Sequence, residues 1–278
     1  MRKSWIITEK NSPAVKKLAG ELNISEIVAQ ILVNRDIVLP DKAADFLNPS
    51  LLKLHDPFLL KDMDKAVKRI KKAVDRKEGV LIYGDYDVDG ICATALLVII
   101  LKNLGSEVSY YIPNRIEEGY GLNKNAIKLA KREKASLLIT VDCGVTAVEQ
   151  VKALRGAGVD VIITDHHQPS EELPDALAIL NPLQRDCPYP DKHLAGVGVA
   201  FKLASALCGM DSSALHEQLD LVCLGTISDV VPLLGENRIL VKNGLEQLNN
   251  TKKTGLRALI ETVKLKRKDI TSYHVGYI

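Results

Sequence analysis

Residues 80–97 read VLIYGDYDVDGICATALL. An apolar run, Val80 to Tyr83, breaks at Gly84. Three aspartates follow at alternate positions: Asp85, Asp87 and Asp89. Gly90 then opens a long apolar segment that predicts a helix to Leu104, closed by Gly105. An apolar strand, an acidic turn and an apolar helix form the first half of a strand–helix–strand unit. The same alternation continues downstream. EVSYYI, SLLITV, VDVIIT and ALAIL read as strands; NKNAIKLAKREK and TAVEQVKALRGAG read as helices, the first with Asn123 as N-cap, the second opened by a Thr146/Glu149 capping box. Short apolar runs without polar alternation are what a parallel sheet covered on both faces requires. The expected fold is therefore α/β: a doubly wound, mostly parallel sheet flanked by helices.

Before residue 79 the chain reads as a helical lead-in, residues 1–78. SEIVAQILVNR is capped by Ser25, and DKAVKRIKKAVDRKEG carries one apolar face. After about residue 190 the pattern is helical again, in GVGVAFKLASALC, SSALHEQLDLVCLGTI and NRILVKNGLEQL. TGLRALIETVKLKRK reads as a last amphipathic helix, and the ending SYHVGYI reads as a truncation within a longer protein. The expected division is 1–78 packed on the core, a core over 79–250, and a connector helix over 251–278.

Composition narrows the class. With 278 residues, 46% apolar and 26% charged, the chain is that of a globular protein. No apolar run approaches the ~18 residues of a membrane span, and MRKSWIITEK lacks the apolar core of a signal peptide. A cytoplasmic location without membrane contact is expected. Five scattered cysteines without C-x-x-C spacing argue against a disulfide framework or a zinc ribbon. The net charge of +2 neither marks nor excludes a nucleic-acid partner, and the basic clusters KRIKK (68–72) and KLKRK (264–268) read as solvated helix faces.

Three predicted strands end in acid: at Asp85/Asp87/Asp89, at Asp142 in VDCG, and at Asp165 in DHH, which adds His166 and His167. Ligands of open parallel sheets bind beyond the carboxyl ends of the strands. If residues 85–89 stay extended, their carboxylates point to one face. Like charges so close repel strongly. Proton sharing or a divalent cation can offset that, and the histidines favour a cation such as Mn, Zn or Fe over Ca. On an extended backbone His166 and His167 face opposite ways, so His166 is read as the ligand and His167 as a phosphate or supporting contact. An EF-hand fails, because position twelve counted from Asp85 is Leu96 rather than Glu. An aspartyl-phosphate phosphatase leaves DHH unused.

YGDYDVDG, VDCG, DHH and ISDVVPL, in that order, resemble the DHH phosphoesterase superfamily, and within it the bacterial single-strand-specific 5′ to 3′ DNA exonucleases. IPNRIEEGYGL (112–122), Asn181-Pro182, HLAGVGVAFKLA (193–204) and the lead-in with Trp5 extend the resemblance over nearly the whole chain. It implies metal ligands Asp87, Asp89, Asp142, His166 and Asp229, with Asp85 less firmly placed. Asp142 would bridge two ions, Mn2+ or Mg2+, with Asp89, His166 and Asp229 on one and Asp87 on the other. It implies two-metal hydrolysis of single-stranded DNA to 5′-mononucleotides, in repair and recombination. A DHHA1 domain is expected beyond the connector, and helicase or single-strand-binding partners through regions absent from this chain. Arg115 and Tyr120 are candidates for phosphate pairing and base stacking. His193 and the glycines of GVGVA are candidates for close approach to substrate. The competing readings are a phosphoesterase for short oligonucleotides or small nucleotides, and a non-catalytic scaffold. IPNRIEEGYGL and the N-terminal helices favour the nuclease over the first, and the complete ligand set speaks against the second.

Overall fold

The computed structural model describes residues 12–265 and 270–277. Trp5 and most of the basic run 264–268 lie outside them. The chain divides into two compact units after Leu52. The first holds α1 (Ser12–Leu22), α2 (Glu26–Val33) and α3 (Pro40–Leu47), closed around Val15, Leu18, Ala29, Leu32 and Ala43. Ser25 caps α2 as expected, accepting the Val28 N–H at 3.3 Å.

The larger unit opens with α4 (Met63–Asp75). This helix, read in the sequence as part of the lead-in, packs inside the larger unit, so the observed division falls earlier than residue 78. Its buried stripe, Met63, Ala66, Val67, Ile70 and Ala73, follows the helical period.

Then come β1 (Gly79–Tyr83), α5 (Val88–Asn103), β2 (Glu107–Tyr111), α6 (Asn125–Arg132), β3 (Ala135–Val141), α7 (Val148–Gly156), β4 (Asp160–Thr164) and β5 (Ala178–Leu180). The strands are all parallel, in the order β2-β1-β3-β4-β5. The chain leaves β1 toward one edge and later returns to β1's other side. The switch point, where such sheets bind ligands, lies between β1 and β3. Tyr83 pairs with Thr140, Val141 with Thr164, and Thr164 with Leu180, so the acidic segments leave the sheet side by side. α6 and α7 cover one face through Ala126, Leu129, Val151 and Leu154, packed on Leu81, Leu138 and Ile163.

The chain continues with α8 (Gly196–Cys208), α9 (Ser213–His216), α10 (Leu219–Ser228), α11 (Gly235–Asn249), α12 (Thr254–Thr262) and α13 (Ser272–Tyr277). α5 packs against both α8 and α10, which explains why it is apolar all round. α11 packs on α10.

Local expectations fail where loops take the caps. α7 starts at Val148 with no side-chain cap, so Thr146 and Glu149 form no capping box. Asn123 accepts the Asn125 N–H at 2.8 Å but stands one residue before the cap position, Lys124. SSALHEQLDLVCLGTI is two helices, and the helix predicted through residue 268 ends at Thr262. The described cysteines are free, and all but Cys208 are buried. No helix of the described residues is long and apolar enough to cross a membrane.

Candidate metal centre at the switch point of the sheet

The aspartates after β1 do not stay extended. Asp87 is the N-cap of α5, accepting the Gly90 N–H at 2.9 Å, and Asp89 already lies in the first helical turn. The helix therefore separates the three carboxylates. Asp85 and Asp87 gather with Asp142, whereas Asp89 gathers with His166 and Asp229. Within each group one ligand atom per residue lies within 4.8 Å of the others.

Asp142 joins the groups. It follows β3 in the left-handed region (φ 61°), its N–H held by the Thr164 carbonyl at 2.9 Å. Its Oδ1 stands 3.2 Å from His166 Nε2. The same nitrogen is 3.5 Å from Asp229 Oδ2 and 4.0 Å from Asp89 Oδ2. Asp229 caps the C-terminus of α10. The next residue, Val230, is exposed and holds φ 58°, a strained conformation for a β-branched side chain.

The histidine expectation needs correction. His166 and His167 do not face opposite ways; their rings lie 4.5 Å apart, and both gather with Asp142. The cause is Asp165, whose Oδ1 accepts the N–H of His166 (2.8 Å) and of His167 (3.1 Å), folding the chain out of the extended conformation. Asp165 also accepts His167 Nδ1 at 2.7 Å and the Val145 N–H at 2.9 Å. Burial opposes its ionisation, but the hydrogen bonds from His167 more than offset this and hold the carboxyl below the usual range. The same bond pushes the His167 imidazole above its ordinary value.

The other carboxyls are shifted the opposite way. Burial, and next the charge of Asp87, pushes Asp142 up to about 9. Burial and then Asp142 hold Asp89 well above the usual carboxylate range. Burial also raises Asp85 and Asp229. Part of the charge is met by the N-terminus of α8, where Gly196 and Val197 donate N–H bonds to Asp89 at 2.6 and 2.9 Å. Four buried ligand atoms have no hydrogen-bond partner: Asp85 Oδ1, Asp142 Oδ1, His166 Nε2 and Asp229 Oδ2. Buried polar atoms are normally paired. Oxygen donors with imidazole, unpaired and converging in two groups linked by the Asp142–His166 approach, fit two divalent cations of the Mn2+ or Mg2+ kind.

Around this centre Tyr120 sits with its hydroxyl 3.1 Å from His167 Nδ1. Burial raises that hydroxyl's pKa, so it remains a donor. Tyr86 meets Tyr120 edge to face, and Arg115 stacks over Tyr86 at 5.2 Å. Glu118 clasps the loop carrying Arg115 and Tyr120, accepting from Tyr111 Oη (2.5 Å), the Asn114 N–H (2.9 Å) and Asn125 Nδ2 (3.1 Å). His193 lies instead in a groove with His55, Asp191, Lys192 and Gly235.

Sequence reasoning missed the residues that hold the ligands. Asp165 and Asn181, which donates to the His167 carbonyl at 2.8 Å, are legible only as parts of DHH and NP. Gly196 and Gly225 matter because a Cβ would stand 2.5 Å from Asp142 Oδ1 and 2.6 Å from Asp89 Oδ1.

The model of the DHH family's N-terminal domain matches residues 79–226, more than half of the chain. Of the curated relatives, the single-stranded-DNA-specific exonuclease RecJ of Bacillus subtilis (strain 168) is 46% identical over 257 residues, which is 92% of this chain and 32% of that relative. The RecJ of Escherichia coli (strain K12) is 39% identical, over 78% of this chain and 40% of its own. The chain thus spans well under half the length of these relatives. The crystal structure of RecJ in complex with Mn2+ from Thermus thermophilus superposes with a TM-score of 0.78 at 32% identity, covering 95% of this chain and 37% of that one. With the family model matching more than half of its residues, the chain belongs to the DHH family.

Proposed function

We propose that this chain is the catalytic core of a two-metal, 5′ to 3′ exonuclease acting on single-stranded DNA and releasing 5′-mononucleotides, in repair and recombination. The observation that carries the reading is the pair of candidate ligand groups linked by Asp142, which belongs to one and stands 3.2 Å from His166 of the other, with buried ligand atoms unpaired. Support comes from relatives described as single-stranded-DNA-specific exonucleases and from RecJ structures described as complexes with Mn2+ and with Mg2+.

Asp89, Asp142, His166 and Asp229 would hold one cation; Asp85, Asp87 and Asp142 the other. When bound, the cations supply an activated water and offset the charge developing on the phosphate. His167, its ring held through Nδ1 by Asp165, presents its imidazole to a phosphate oxygen. Tyr120 steadies that ring through its hydroxyl. Arg115 offers a bidentate contact to a neighbouring phosphate, and Tyr86 and Tyr120 offer faces for bases. His193 contributes to substrate contact from its own groove. Residues 79–250 form the DHH core, and 251–278 lead toward a DHHA1 domain. The protein works in the cytoplasm, with helicase or single-strand-binding partners engaging other regions.

The test is degradation of 5′-labelled and 3′-labelled single-stranded DNA in Mn2+, beside Asp142→Ala. Loss of the 5′ label first, abolished by the substitution, is expected. Degradation from the 3′ end, or cleavage indifferent to chelation and to Asp142→Ala, overturns the reading.

A further inference from the structure

A cavity of about 220 Å3 adjoins the metal centre at Tyr120, Asp165 and His167. His167 and Tyr120 are a wall common to both: His167 Nδ1 is 4.0 Å from Asp142 Oδ1, and the Tyr120 hydroxyl is 3.5 Å from the Asp142 carbonyl. The remaining lining comes chiefly from Leu122, Val145, Thr146, Ala147 and Gln150, where the chain enters α7.

The chemistry of this lining is selective. Among the described residues no Lys or Arg lines it, and the Asp165 carboxylate forms part of the wall. Three of the amides on the approach to α7 are already committed. Val145 N–H donates to Asp165, Ala147 N–H to the Gly144 carbonyl, and Val148 N–H to the Thr146 carbonyl. Leu122, Val145 and Ala147 are buried and apolar, and the Tyr120 ring adds a flat face. The Gln150 carboxamide and the Thr146 hydroxyl make no hydrogen bond among the described residues. A carboxamide offers donors and an acceptor together. The complementary ligand is neutral, flat on its faces and polar along one edge.

We propose that this cavity seats the nucleoside esterified to the phosphate held at the metal centre, with Gln150 and Thr146 bonding its polar edge. The inference rests on the phosphodiesterase reading above and extends it from the phosphate to the group attached. It assigns Gln150, Thr146 and Ala147 to substrate selection.

The test is calorimetric binding, with Mn2+ present, of thymidine 5′-monophosphate and of inorganic phosphate to the unmodified chain, to Gln150→Ala and to Ala147→Leu. Hydrolysis plays no part in the readout. The nucleotide is expected to bind the unmodified chain roughly tenfold more tightly than phosphate, the scale of one or two hydrogen bonds with apolar contact. Both variants should lose most of that preference while keeping phosphate affinity and the Mn2+-induced rise in melting temperature. Equal binding of the two ligands, or a preference that survives both variants, overturns the cavity assignment and leaves the metal-centre reading standing. Failure of either ligand to bind in Mn2+ overturns the metal-centre reading itself, and this inference with it.

Discussion

Asp142 stands where the strain and the charge of the site meet. Its left-handed backbone turns the chain out of β3 so that one carboxylate reaches both ligand groups. Aspartate and asparagine tolerate that conformation better than other non-glycine residues. Asp142→Asn therefore removes charge while keeping the turn. Its expected effect is opposite on function and on stability. Mn2+-dependent hydrolysis should fall to background, whereas the chelated protein should gain on the order of 1–3 kcal/mol because a buried carboxyl that folding forces to take up a proton is gone. Denaturant melts with and without Mn2+ check both arms; an Asn variant less stable than its parent in chelator would contradict the account.

At the scale of elements, the N-terminus of α8 and the body of α10 close on the carboxylates only because glycines stand there. A methyl at Gly196 would lie 2.5 Å from Asp142 Oδ1, and one at Gly225 would lie 2.6 Å from Asp89 Oδ1. At Gly198, further along the same helix, the nearest atom would be Leu194 Cβ at 3.4 Å. Gly196→Ala and Gly225→Ala are expected to weaken Mn2+ binding at least tenfold. Gly198→Ala should leave it unchanged and be neutral or slightly stabilising, since alanine is preferred in helices by about 1 kcal/mol. Mn2+ titrations of the three variants make the comparison.

The loop carrying Arg115 and Tyr120 answers to pH through Glu118. Its hydrogen bond from Tyr111, with that from Asn114 next, lowers its pKa from 4.5 to about 2. A depressed carboxyl pKa contributes stability that is present above the unfolded value and lost as pH falls through the folded one. The loop should therefore stay ordered above pH 4.5 and loosen between there and about 2. Exchange of the Asn114 amide, followed by NMR, should accelerate over that interval beyond the intrinsic rate, and in Glu118→Gln it should already be fast at neutral pH.

Across the whole molecule, the cations are expected to act as part of the fold. Acidic segments from β1, β3, β4 and α10 converge at the centre, so an ion held there ties the sheet to the helical layer. A ligand at a hundred times its Kd stabilises by about 2.7 kcal/mol. For a protein of this size that is a rise in melting temperature of roughly 5–10 °C. Differential scanning calorimetry with Mn2+ and with chelator measures it; coincident transitions would show that the ions are not held in the ground state of the fold.

The sequence by itself determined the layers of the core and the acids that gather at its edge. Apolar runs such as LLITV and VIIT have one stable use, a parallel strand buried on both faces, and their periodicity is local. Acid placed directly after three such runs must gather at one edge once the strands align, which is why Asp85, Asp87, Asp89, Asp142 and His166 were legible. Asp229 was reached only through the family resemblance, because it ends a helix from a different layer. Only the tertiary structure decided how the ligands divide. The early start of α5 parts Asp89 from Asp85 and Asp87, and the Asp165 hydrogen bonds turn His167 to the same side as His166. Caps were decided there too: Thr146 lost its capping role because the approach to α7 is shaped by the Val145–Asp165 bond across the sheet edge. Periodicity reports which face of an element is buried, whereas hydrogen bonds between segments far apart in the chain fix where each side chain points.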